Sequence, residues 1–598
     1  MMARIPETWS RALARLNLDP ELGTLALELA RVPSGLDDPT RRQVALLALL
    51  LLATQAQGST NLSLEGAELE SLKRLFEAPE LEPAALLADP RLACLAGGPE
   101  AIRPFVLDGG CLSTGRLRAA EEALAARIRL RVTGKGKAST VSSDILDQPV
   151  LLSDEQREAV RVAISGALTL ITGGPGTGKT SIVLAILRAA LQDGLTPTDI
   201  ALAAPTGRAA TRMGEAVAGA MTGTALQART LHRLLGWSPQ GFRFNARNPL
   251  QALLVVVDEA SMVGLELMGS LLQALRPEAR LVLLGDADQL PSVEAGSAFR
   301  DLVETLPGAT ARLTRSYRMD PRDPGGRAIL LAAQALREGR CGADVLPRLA
   351  QAQDLTGIGA EFLEAERPAI AGFLEEWGDR LLWGGGNAVE AQEPLRQVDG
   401  VWGPDEEARL TRLFEHFGRM RILCPLRAAP GLQGVEPVNA FLHERWRMRA
   451  GRGLGKELAF LPGEPVVMRR NDYRRGLFNG DPGLVLLLAS AAGEAHQVVV
   501  FPRAGSFDAF PIGPLLPDLE LGYAGTVHRA QGSEFDRVAV ILPREDSPLM
   551  TREILYTALT RARKSAVLLG SHEVLAQAVT RSIRRSTALG RLLQAPHL

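Results

Sequence analysis

Residues 170–180 read Leu-Ile-Thr-Gly-Gly-Pro-Gly-Thr-Gly-Lys-Thr, and the rest of the chain can be placed around this stretch. The β-branched run 168–172 predicts a strand, and residues 181–191 resume with the pattern of a helix. The glycines allow backbone N–H groups to turn inward on a phosphate at the N-terminus of that helix. The spacing Gly-x4-Gly-Lys-Thr therefore predicts a nucleotide-binding loop, with Lys179 at the β/γ-phosphates and Thr180 on Mg2+.

Short apolar segments alternate with helical segments from residue 152 onward. This alternation is typical of a parallel α/β sheet, whose ligands lie outside the carboxyl ends of the strands. The predicted strands are 169–172, 200–204, 253–258 and 280–285. Polar motifs follow several of them, so the sequence predicts a nucleotide-binding sheet.

The predicted strand 253–258 ends in two adjacent carboxylates, Asp258 and Glu259. Most such pairs are solvated loop residues. After a phosphate-binding loop, however, adjacent acids at a strand tip suit two roles in ATP hydrolysis. Asp258 would hold Mg2+ through water, and Glu259 would accept a proton from the attacking water.

Three further side chains are candidates for phosphoryl transfer. Gln289, in Gly-Asp-Ala-Asp-Gln-Leu, could orient water or sense the γ-phosphate. Arg318 and Arg561 are candidate arginine fingers, because an arginine from a second domain can stabilise charge on the transferred phosphoryl group. For any one arginine alone, a surface ion pair is the simpler interpretation.

The composition sets broad limits. A chain of 598 residues is too long for one core, and its 67 basic and 68 acidic residues leave no global field to attract nucleic acid. Its four cysteines are far apart and its seven histidines form no zinc motif, which fits a reducing cytoplasm. The apolar run 44–53 is about half a membrane span, so we expect a buried helix and no membrane association.

The flanking regions carry less information. Residues 1–135 are rich in Ala, Leu, Glu and Arg, with helical spacing in 22–31, 40–57 and 62–76, and the polar stretch 133–140 is typical of a linker. Residues 341–419 are interpreted as the lead-in to a second domain plus a surface insertion. Residues 461–518 predict β-strands with turns, as in a small barrel. The basic residues Arg581, Arg584, Arg585 and Arg591 are expected on a terminal helix, in contact with DNA, a partner or water.

The order of the motifs carries a resemblance to a known family. The series begins with Gln156 and the phosphate-binding loop, followed by Ala-Pro-Thr-Gly-Arg-Ala-Ala at 204–210 and Thr-Leu-His-Arg-Leu-Leu-Gly at 230–236. It continues with Asp-Glu-Ala-Ser, Gly-Asp-Ala-Asp-Gln-Leu and Ser-Tyr-Arg. It ends with Gly-Thr-Val-His-Arg-Ala-Gln-Gly-Ser-Glu at 525–534 and Tyr-Thr-Ala-Leu-Thr-Arg-Ala-Arg at 556–563. It resembles superfamily 1 helicases and, among them, the RecD family. The motifs cover residues 150–598, whereas the N-terminal part resembles that family only in size and position.

The resemblance implies an α/β fold with two RecA-like motor domains. Its implied divisions are a helical docking domain at 1–135, a first motor domain at 150–340 and a second at 341–598, with an SH3-like barrel inserted at about 461–518. The segment 293–313 is short and lacks an insertion that is found in some chains of the family. Partner contacts at that place are therefore not expected.

The resemblance also implies roles for individual residues. Gln156 would read adenine, and Gly532 would approach the γ-phosphate. The phosphate-binding residues would be Gly173, Gly174, Pro175, Gly176, Thr177, Gly178, Lys179 and Thr180. The residues expected to face single-stranded DNA are Thr206, His232, Thr526 and His528.

The implied function is that of an ATP- and Mg2+-dependent 5'-to-3' DNA helicase acting at DNA ends in double-strand break repair. Its implied partners are RecB and RecC, with DNA cleavage left to RecB, because no cluster of carboxylates with a lysine predicts a nuclease site here. Three alternatives stay open: a stand-alone helicase, an RNA helicase and an ATP-gated scaffold. The first would carry a longer N-terminal extension, the second would be stimulated by RNA, and the third would not require Lys179, Glu259, Gln289, Arg318 and Arg561 together.

Overall fold

The computed structural model describes residues 5–133, 152–221, 223, 226–317, 323–349, 351–352, 355–384, 386–450, 458–472, 474–490, 493–503 and 505–595. Two parallel sheets organise these residues, and an N-terminal unit and an antiparallel sheet are attached to them. The predicted linker 133–140 lies outside the described residues apart from Thr133. Arg318 also lies outside them.

The first sheet has six parallel strands and carries the phosphate-binding loop. Their spatial order is Thr310–Leu313, Leu168–Gly173, Arg280–Gly285, Leu254–Val257, Ile200–Ala204 and Ala228–Thr230. The four strands predicted in this region are confirmed. The accompanying helices are Asp154–Ser165, Lys179–Gln192, Gly207–Ala220, Leu231–Leu234, Leu265–Ala274 and Ala298–Thr305. Apolar residues on both faces of these strands are buried, as a sheet covered by helices requires.

The second sheet repeats this parallel arrangement. Its strands, in spatial order, are Arg348–Leu349, Gly359–Glu364, Ala562–Gly570, Phe535–Ile541, Met420–Cys424 and Ala524–Thr526. Its helices include Pro324–Arg337, Arg367–Glu376, Pro404–Gly418, Val435–Ala450, Arg552–Leu559 and His572–Thr580. The helix Pro324–Arg337 packs on this sheet although it precedes residue 341, where the second domain was expected to begin.

The region 341–419 was expected to lead into the second domain and to include a surface insertion, and the structure places much of it in the second sheet and its core. The strand Gly359–Glu364 lies inside the second sheet. Trp377 and Trp383, which follow it, are buried in an apolar core that also contains residues of the second sheet, such as Ile422 and Leu569. Because both faces of this segment are covered, it lacks the polar alternation that would have identified its strand.

Residues 465–521 form an antiparallel sheet of five strands. In spatial order they are Ser506–Pro511, Ala495–Arg503, Pro482–Ala489, Pro465–Met468 and Leu519–Leu521. Val485, Val499 and Phe501 belong to its own apolar core. The β-rich character expected for this segment is present, and its assignment as an SH3-like barrel stays a prediction.

The N-terminal unit is not built from helices alone. Its helices are Glu7–Arg15, Glu21–Leu29, Asp38–Ala56, Ala67–Leu75, Pro83–Leu87 and Gly115–Thr133. A small sheet adds the strands Asn61–Ser63, Cys111–Thr114, Phe105–Asp108 and Ala96–Gly97. The helix expected at 62–76 is therefore wrong at its start. Asp38–Ala56 contains the apolar run, and none of the helices in the described ranges has both the length and the apolar character needed to cross a bilayer.

The C-terminal segment returns to the N-terminal unit instead of ending on an exposed basic helix. Ser586 accepts a backbone hydrogen bond from Thr60 (2.8 Å), and Arg591 pairs with Asp108 (2.8 Å). Arg585 donates to the backbone oxygens of Ser292, Glu294 and Gly296 at 2.7–2.9 Å. Of the four C-terminal arginines, Arg585 is thus placed inside the fold, and only Arg591 lies in the last helix, Leu589–Gln594.

Candidate functional site: a cleft between two parallel sheets

The predicted phosphate-binding loop joins the strand Leu168–Gly173 to the helix Lys179–Gln192. Gly176 and Gly178 have φ angles of 76° and 80°, a region that a residue with a Cβ rarely adopts. A Cβ at Gly178 would also lie 2.3 Å from Nε2 of Gln156. Only glycine fits here, and the turn directs the start of the helix toward the cavity.

Lys179 is held at the mouth of this loop. Its Nζ atom donates to the backbone oxygens of Gly173 (2.7 Å) and Gly174 (3.1 Å). Thr180, the next residue, is exposed and lines the same cavity. The loop therefore presents an ammonium group, a hydroxyl group and the first N–H groups of a helix to one space, a set that suits a polyphosphate.

The two acids lie where the strand Leu254–Val257 ends, and both line the cavity. Glu259 has a φ of 53°, an uncommon value for a residue other than glycine. Burial raises the pKa of Glu259, and the neighbouring Asp258 carboxylate raises it further. Burial also raises the pKa of Asp258, against the opposing charge of Lys179. A carboxylate with a raised pKa is a stronger base, as proton abstraction from water requires.

Gln289 lies at the same edge, on the segment after the strand Arg280–Gly285. Its side chain is 5% exposed, and Nε2 donates to Oδ2 of Asp286 over 3.1 Å. Its Oε1 atom is buried and has no hydrogen-bond partner in the described structure. An unpaired buried oxygen at a cavity costs free energy unless a ligand or water pairs with it.

The second sheet closes the other side of the cavity. Arg561 is 3% exposed and donates to the backbone oxygens of Thr557 (3.1 Å) and Ser533 (3.3 Å). Burial lowers its pKa, and the charge of Glu259 opposes that shift. Gly532 lines the cavity beside it. The phosphate-binding loop therefore lines the same cavity as Arg561 and Gly532, which are more than 300 residues away in the sequence.

Gln156 lines the cavity and forms a capping box with Ser153 at the start of the helix Asp154–Ser165. Its Nε2 donates to the Thr177 oxygen (3.0 Å), and its Oε1 accepts from the hydroxyl group of Tyr317 (3.1 Å). One N–H of the amide remains for a base. Tyr317 belongs to the Ser-Tyr-Arg motif, which gives the tyrosine no role, and only the fold brings its ring to the cavity.

Arg212 is a second residue that sequence reasoning missed. It lies on the helix Gly207–Ala220 of the first sheet, lines the cavity, and donates to the Gly532 oxygen over 2.8 Å. It also pairs with Glu534 at 3.3 Å. Its position one helical turn after Arg208 was the available signal, because residues four apart share a helix face.

The cavity as a whole has a volume of about 540 Å3. It is lined by the phosphate-binding loop, Gln156, both acids and Gln289 from the first sheet, and by Gly532, Glu534 and Arg561 from the second. The volume is in the range of small-ligand sites. A nucleotide between these walls would contact both sheets.

The residue types fit a nucleotide and Mg2+. Mg2+ keeps several waters and binds one or two protein oxygens beside phosphates, and Thr180 and Asp258 offer a hydroxyl and a carboxylate at this cavity. Within the described part of the chain, no group of three or more His, Cys, Asp or Glu side chains could hold a metal without such help. The donor set therefore matches a metal that arrives with phosphate.

The four predicted DNA contacts are not gathered at this cavity. The Thr206 hydroxyl accepts from Ala209 N (3.2 Å) and caps its helix, and that of Thr526 accepts from Arg529 N (3.3 Å). His232 is exposed beside Phe242, with ring centroids 6.0 Å apart. Burial lowers the pKa of His528, so its imidazole is neutral near pH 7. Thr206 and Thr526 thus have local capping roles, and their contacts with DNA remain a prediction.

A basic groove of about 1250 Å3 lies beside the helix Gly207–Ala220. On one side it is lined by this helix and the strand Ala228–Thr230, and on the other by the antiparallel sheet near Phe478 and Phe501. Its charged side chains are four acids, Glu215, Asp481, Asp508 and Glu534, and seven arginines, Arg208, Arg212, Arg229, Arg233, Arg475, Arg503 and Arg563. The net charge at pH 7 is positive although the whole chain is close to neutral.

Comparison with known proteins gives consistent matches. The AAA domain family matches residues 156–295, and the UvrD-like helicase C-terminal domain matches 521–569. The chain is 35% identical to the RecBCD enzyme subunit RecD of Mycolicibacterium smegmatis over 88% of this chain and 90% of that protein. It is 36% identical to the RecD subunit of Mycobacterium tuberculosis over 87% and 86%.

A third relative bears on the alternatives. The ATP-dependent RecD2 DNA helicase of Deinococcus radiodurans is 35% identical over 74% of this chain but only 52% of that protein. The mycobacterial relatives are matched over most of their length, and the RecD2 helicase over about half. With this extent of identity and with the cleft between two parallel sheets, the chain belongs to the RecD family of superfamily 1 helicases.

Proposed function

We propose that this chain is an ATP-driven 5'-to-3' DNA helicase and translocase that serves as the RecD-type subunit of a helicase–nuclease complex in double-strand break repair. One observation carries the ATPase part of this proposal. Lys179, Glu259 and Gln289 of the first sheet face Gly532 and Arg561 of the second across one cavity. A nucleotide between them would be contacted by both sheets, so hydrolysis would change how the sheets meet.

Each residue has a role that its position supports. The loop 173–180 would bind the phosphates, Thr180 and Asp258 would hold Mg2+, and Gln156 would contact adenine. Glu259 would accept a proton from the attacking water, and Arg561 would stabilise charge on the transferred phosphoryl group. Bound Mg2+ would neutralise charge on the phosphate oxygens. Arg318 is proposed as a second finger from the family motif alone.

The basic groove is the proposed path of the DNA strand. Its arginines can pair with backbone phosphates, and Arg233 lies over the Phe478 ring (5.6 Å to the centroid) at the same wall. Phosphate contacts do not read sequence. This suits a motor that must pass any base. Thr206, His232, Thr526 and His528 are proposed as further contacts from the family motifs.

RecB and RecC are the proposed partners, and the family relationship supports them. The relatives matched over most of their length are named subunits of RecBCD, and the RecD2 helicase is matched over about half. We therefore favour the subunit role over a stand-alone helicase. We propose the N-terminal unit as the docking surface and DNA ends as the substrate.

The test is unwinding of duplexes that carry only a 5' or only a 3' single-stranded tail, with the purified chain and its Lys179→Ala variant. We expect unwinding from the 5' tail alone and its loss in the variant. Unwinding from the 3' tail alone would refute the polarity. If the chain is silent, the assay is repeated with RecB and RecC, and continued silence there would favour the scaffold. Stimulation of ATP hydrolysis by RNA in preference to DNA would favour the RNA helicase.

A further inference from the structure

Gln289 is held by residues from both sheets. Its Nε2 donates to Oδ2 of Asp286 in the first sheet (3.1 Å), and the hydroxyl group of Tyr556 donates to the same oxygen (3.1 Å). Tyr556 lies on the helix Arg552–Leu559, which packs in the core of the second sheet. These three side chains form a buried chain of hydrogen bonds from the second sheet to the cavity.

The chain of hydrogen bonds decides which end of the Gln289 amide points to Asp286 and which end is left without a partner. The oxygen and the nitrogen of an amide are told apart by the hydrogen bonds that they make. Asp286 accepts from three donors: Asp288 N at Oδ1 (3.0 Å), and Gln289 and Tyr556 at Oδ2. Burial raises the pKa of Asp286, whereas the charge of Lys179 and the hydrogen bonds from Asp288 N and Gln289 lower it. Both oxygens of this carboxyl group accept hydrogen bonds, so the NH2 group of Gln289 faces Asp286 and its carbonyl oxygen faces away. This Oε1 atom is the buried oxygen that has no partner in the described structure.

Tyr556 is suited to act as a fixed donor. It is 6% exposed, and burial raises the pKa of its hydroxyl group well above the usual value, as does the charge of Asp286. The hydroxyl group therefore keeps its proton at neutral pH. Two neighbouring bonds fix the backbone after Gln289: Leu290 N donates to the Thr557 hydroxyl (3.1 Å), and Gln531 donates to the Leu290 oxygen (2.8 Å).

We propose that Tyr556 and Asp286 are positioning residues that orient Gln289 so that its Oε1 atom accepts a hydrogen bond from the attacking water. This inference rests on the proposed ATPase function and deepens it. Gln289 acts on the water and does not donate to the γ-phosphate, because its donor group is bound to Asp286. Since Tyr556 comes from the second sheet, the water is aligned only while the two sheets are closed on each other.

The test is a double-mutant cycle in DNA-stimulated ATP hydrolysis. We expect Tyr556→Phe, which removes only the hydroxyl group, to lower kcat about tenfold and to change the KM for ATP by less than about twofold. We expect Asp286→Asn to act in the same direction, because an asparagine can donate and allows the Gln289 amide to flip. The double variant Tyr556→Phe/Gln289→Ala should be no slower than Gln289→Ala alone, since both changes interrupt one function.

Tyr523→Phe is the matched control. Tyr523 is also buried in the second sheet, and its hydroxyl group donates to Glu464 over 3.1 Å, away from the cavity. This variant should keep the kcat of the unsubstituted chain even if its Tm falls. Additive effects of Tyr556→Phe and Gln289→Ala, or an equal loss of kcat in Tyr523→Phe, would overturn the positioning role while the proposed function stands. An unsubstituted chain without ATPase activity, alone and with its partners, would overturn both.

Discussion

Nη1 of Arg212 donates to the backbone oxygen of Gly532 over 2.8 Å, which joins the helix Gly207–Ala220 of the first sheet to a loop of the second. One turn earlier, Arg208 donates to the hydroxyl group of Ser533 over 2.9 Å. The helix begins at Gly207, which lines the basic groove, and Gly532 lines the nucleotide cavity. The two arginines thus connect the groove and the cavity by direct contacts.

Arg212→Ala should weaken this connection. We expect DNA-stimulated kcat to fall about tenfold, because the loop 532–534 loses a charge-assisted bond and an ion pair that hold it at the cavity. Steady-state ATP hydrolysis with and without DNA measures the effect. Arg188→Ala is the control. Arg188, like Arg212, donates to one backbone oxygen, in this case that of Ala220 at the end of the helix Gly207–Ala220. An equal loss in both variants would contradict the role of Arg212.

Gln156→Glu should weaken nucleotide binding without slowing chemistry. The glutamate keeps the acceptor for Tyr317 and loses the donors to Thr177 and to a base. We expect the KM for ATP to rise about tenfold at unchanged kcat, with reduced selectivity for ATP over GTP, as loss of uniform binding predicts. Gln334→Glu is the control: it makes the same change at an exposed position of the helix Pro324–Arg337 and should leave the KM for ATP unchanged. A lower kcat at unchanged KM would contradict the proposed contact with adenine.

Asp301 predicts a pH-dependent loss of stability. Burial raises its pKa to about 7, with Glu121 and Glu304 adding to the shift and Arg300 and the Thr587 hydroxyl opposing it. Between about pH 4 and 7 the unfolded chain releases this proton and the folded chain keeps it, so stability falls as pH rises, by at most about 4 kcal/mol. Asp301→Asn removes this cost.

The measurement is the difference in Tm between Asp301→Asn and the unsubstituted chain at pH 5 and pH 8. We expect the variant to gain several degrees more at pH 8 than at pH 5, because asparagine stays neutral and can still accept from Thr587. The same gain at both values would show that titration of Asp301 is not the cause.

Arg585→Ala should destabilise the contact between the C-terminal segment and the first sheet. The substitution removes the Arg585 donor from the backbone oxygens of Ser292, Glu294 and Gly296, of which Glu294 keeps a hydrogen bond from the Ser292 hydroxyl group. We expect a loss of about 2–4 kcal/mol in the free energy of unfolding, since each is a bond to a charged group. Arg584→Ala, at the exposed neighbouring position, should stay within about 0.5 kcal/mol. Denaturant titration distinguishes the two variants.

Arg229→Ala tests the proposed path of DNA. Arg229 is exposed at the wall of the basic groove. If it pairs with a phosphate, binding of single-stranded DNA should weaken equally for all sequences, and the slope of log K against log salt should fall by about 0.7. Arg161→Ala, on the helix Asp154–Ser165, removes an exposed arginine paired with Glu158 and should leave both quantities unchanged. A sequence-dependent loss would contradict a phosphate contact.

The phosphate-binding loop and the adjacent acids are local features, and the sequence alone determined them. Consecutive residues form the loop 173–180, and Asp258 and Glu259 follow directly from one apolar strand, so their arrangement needs no distant partner. The four strands of the first sheet were predicted for the same reason, because their buried runs lie between clear helical segments. The family motifs added the pairing of this loop with Gly532 and Arg561.

Short elements and isolated side chains depended on the tertiary structure. The strand Asn61–Ser63 has only three residues, too few to show a period of two, and most of it falls within the helical spacing of 62–76. Trp377 and Trp383 lie in a segment without a recognisable pattern, yet they are core residues. Arg584 and Arg585 are identical neighbours in the sequence, and only the return of the chain to Gly58 and Gly296 places Arg585 inside the fold.

The same division holds for the site. Sequence motifs identified Gln289, but its orientation depends on Tyr556, which lies 267 residues further along the chain, and on a carboxylate that both contact. Arg212 and Tyr317 gain their positions from contacts with Gly532 and Gln156. Residue types and local spacing determine which chemistry is available. The approach of the two sheets determines which of these groups act together at one site, because a hydrogen bond forms only when the fold brings its atoms within about 3 Å.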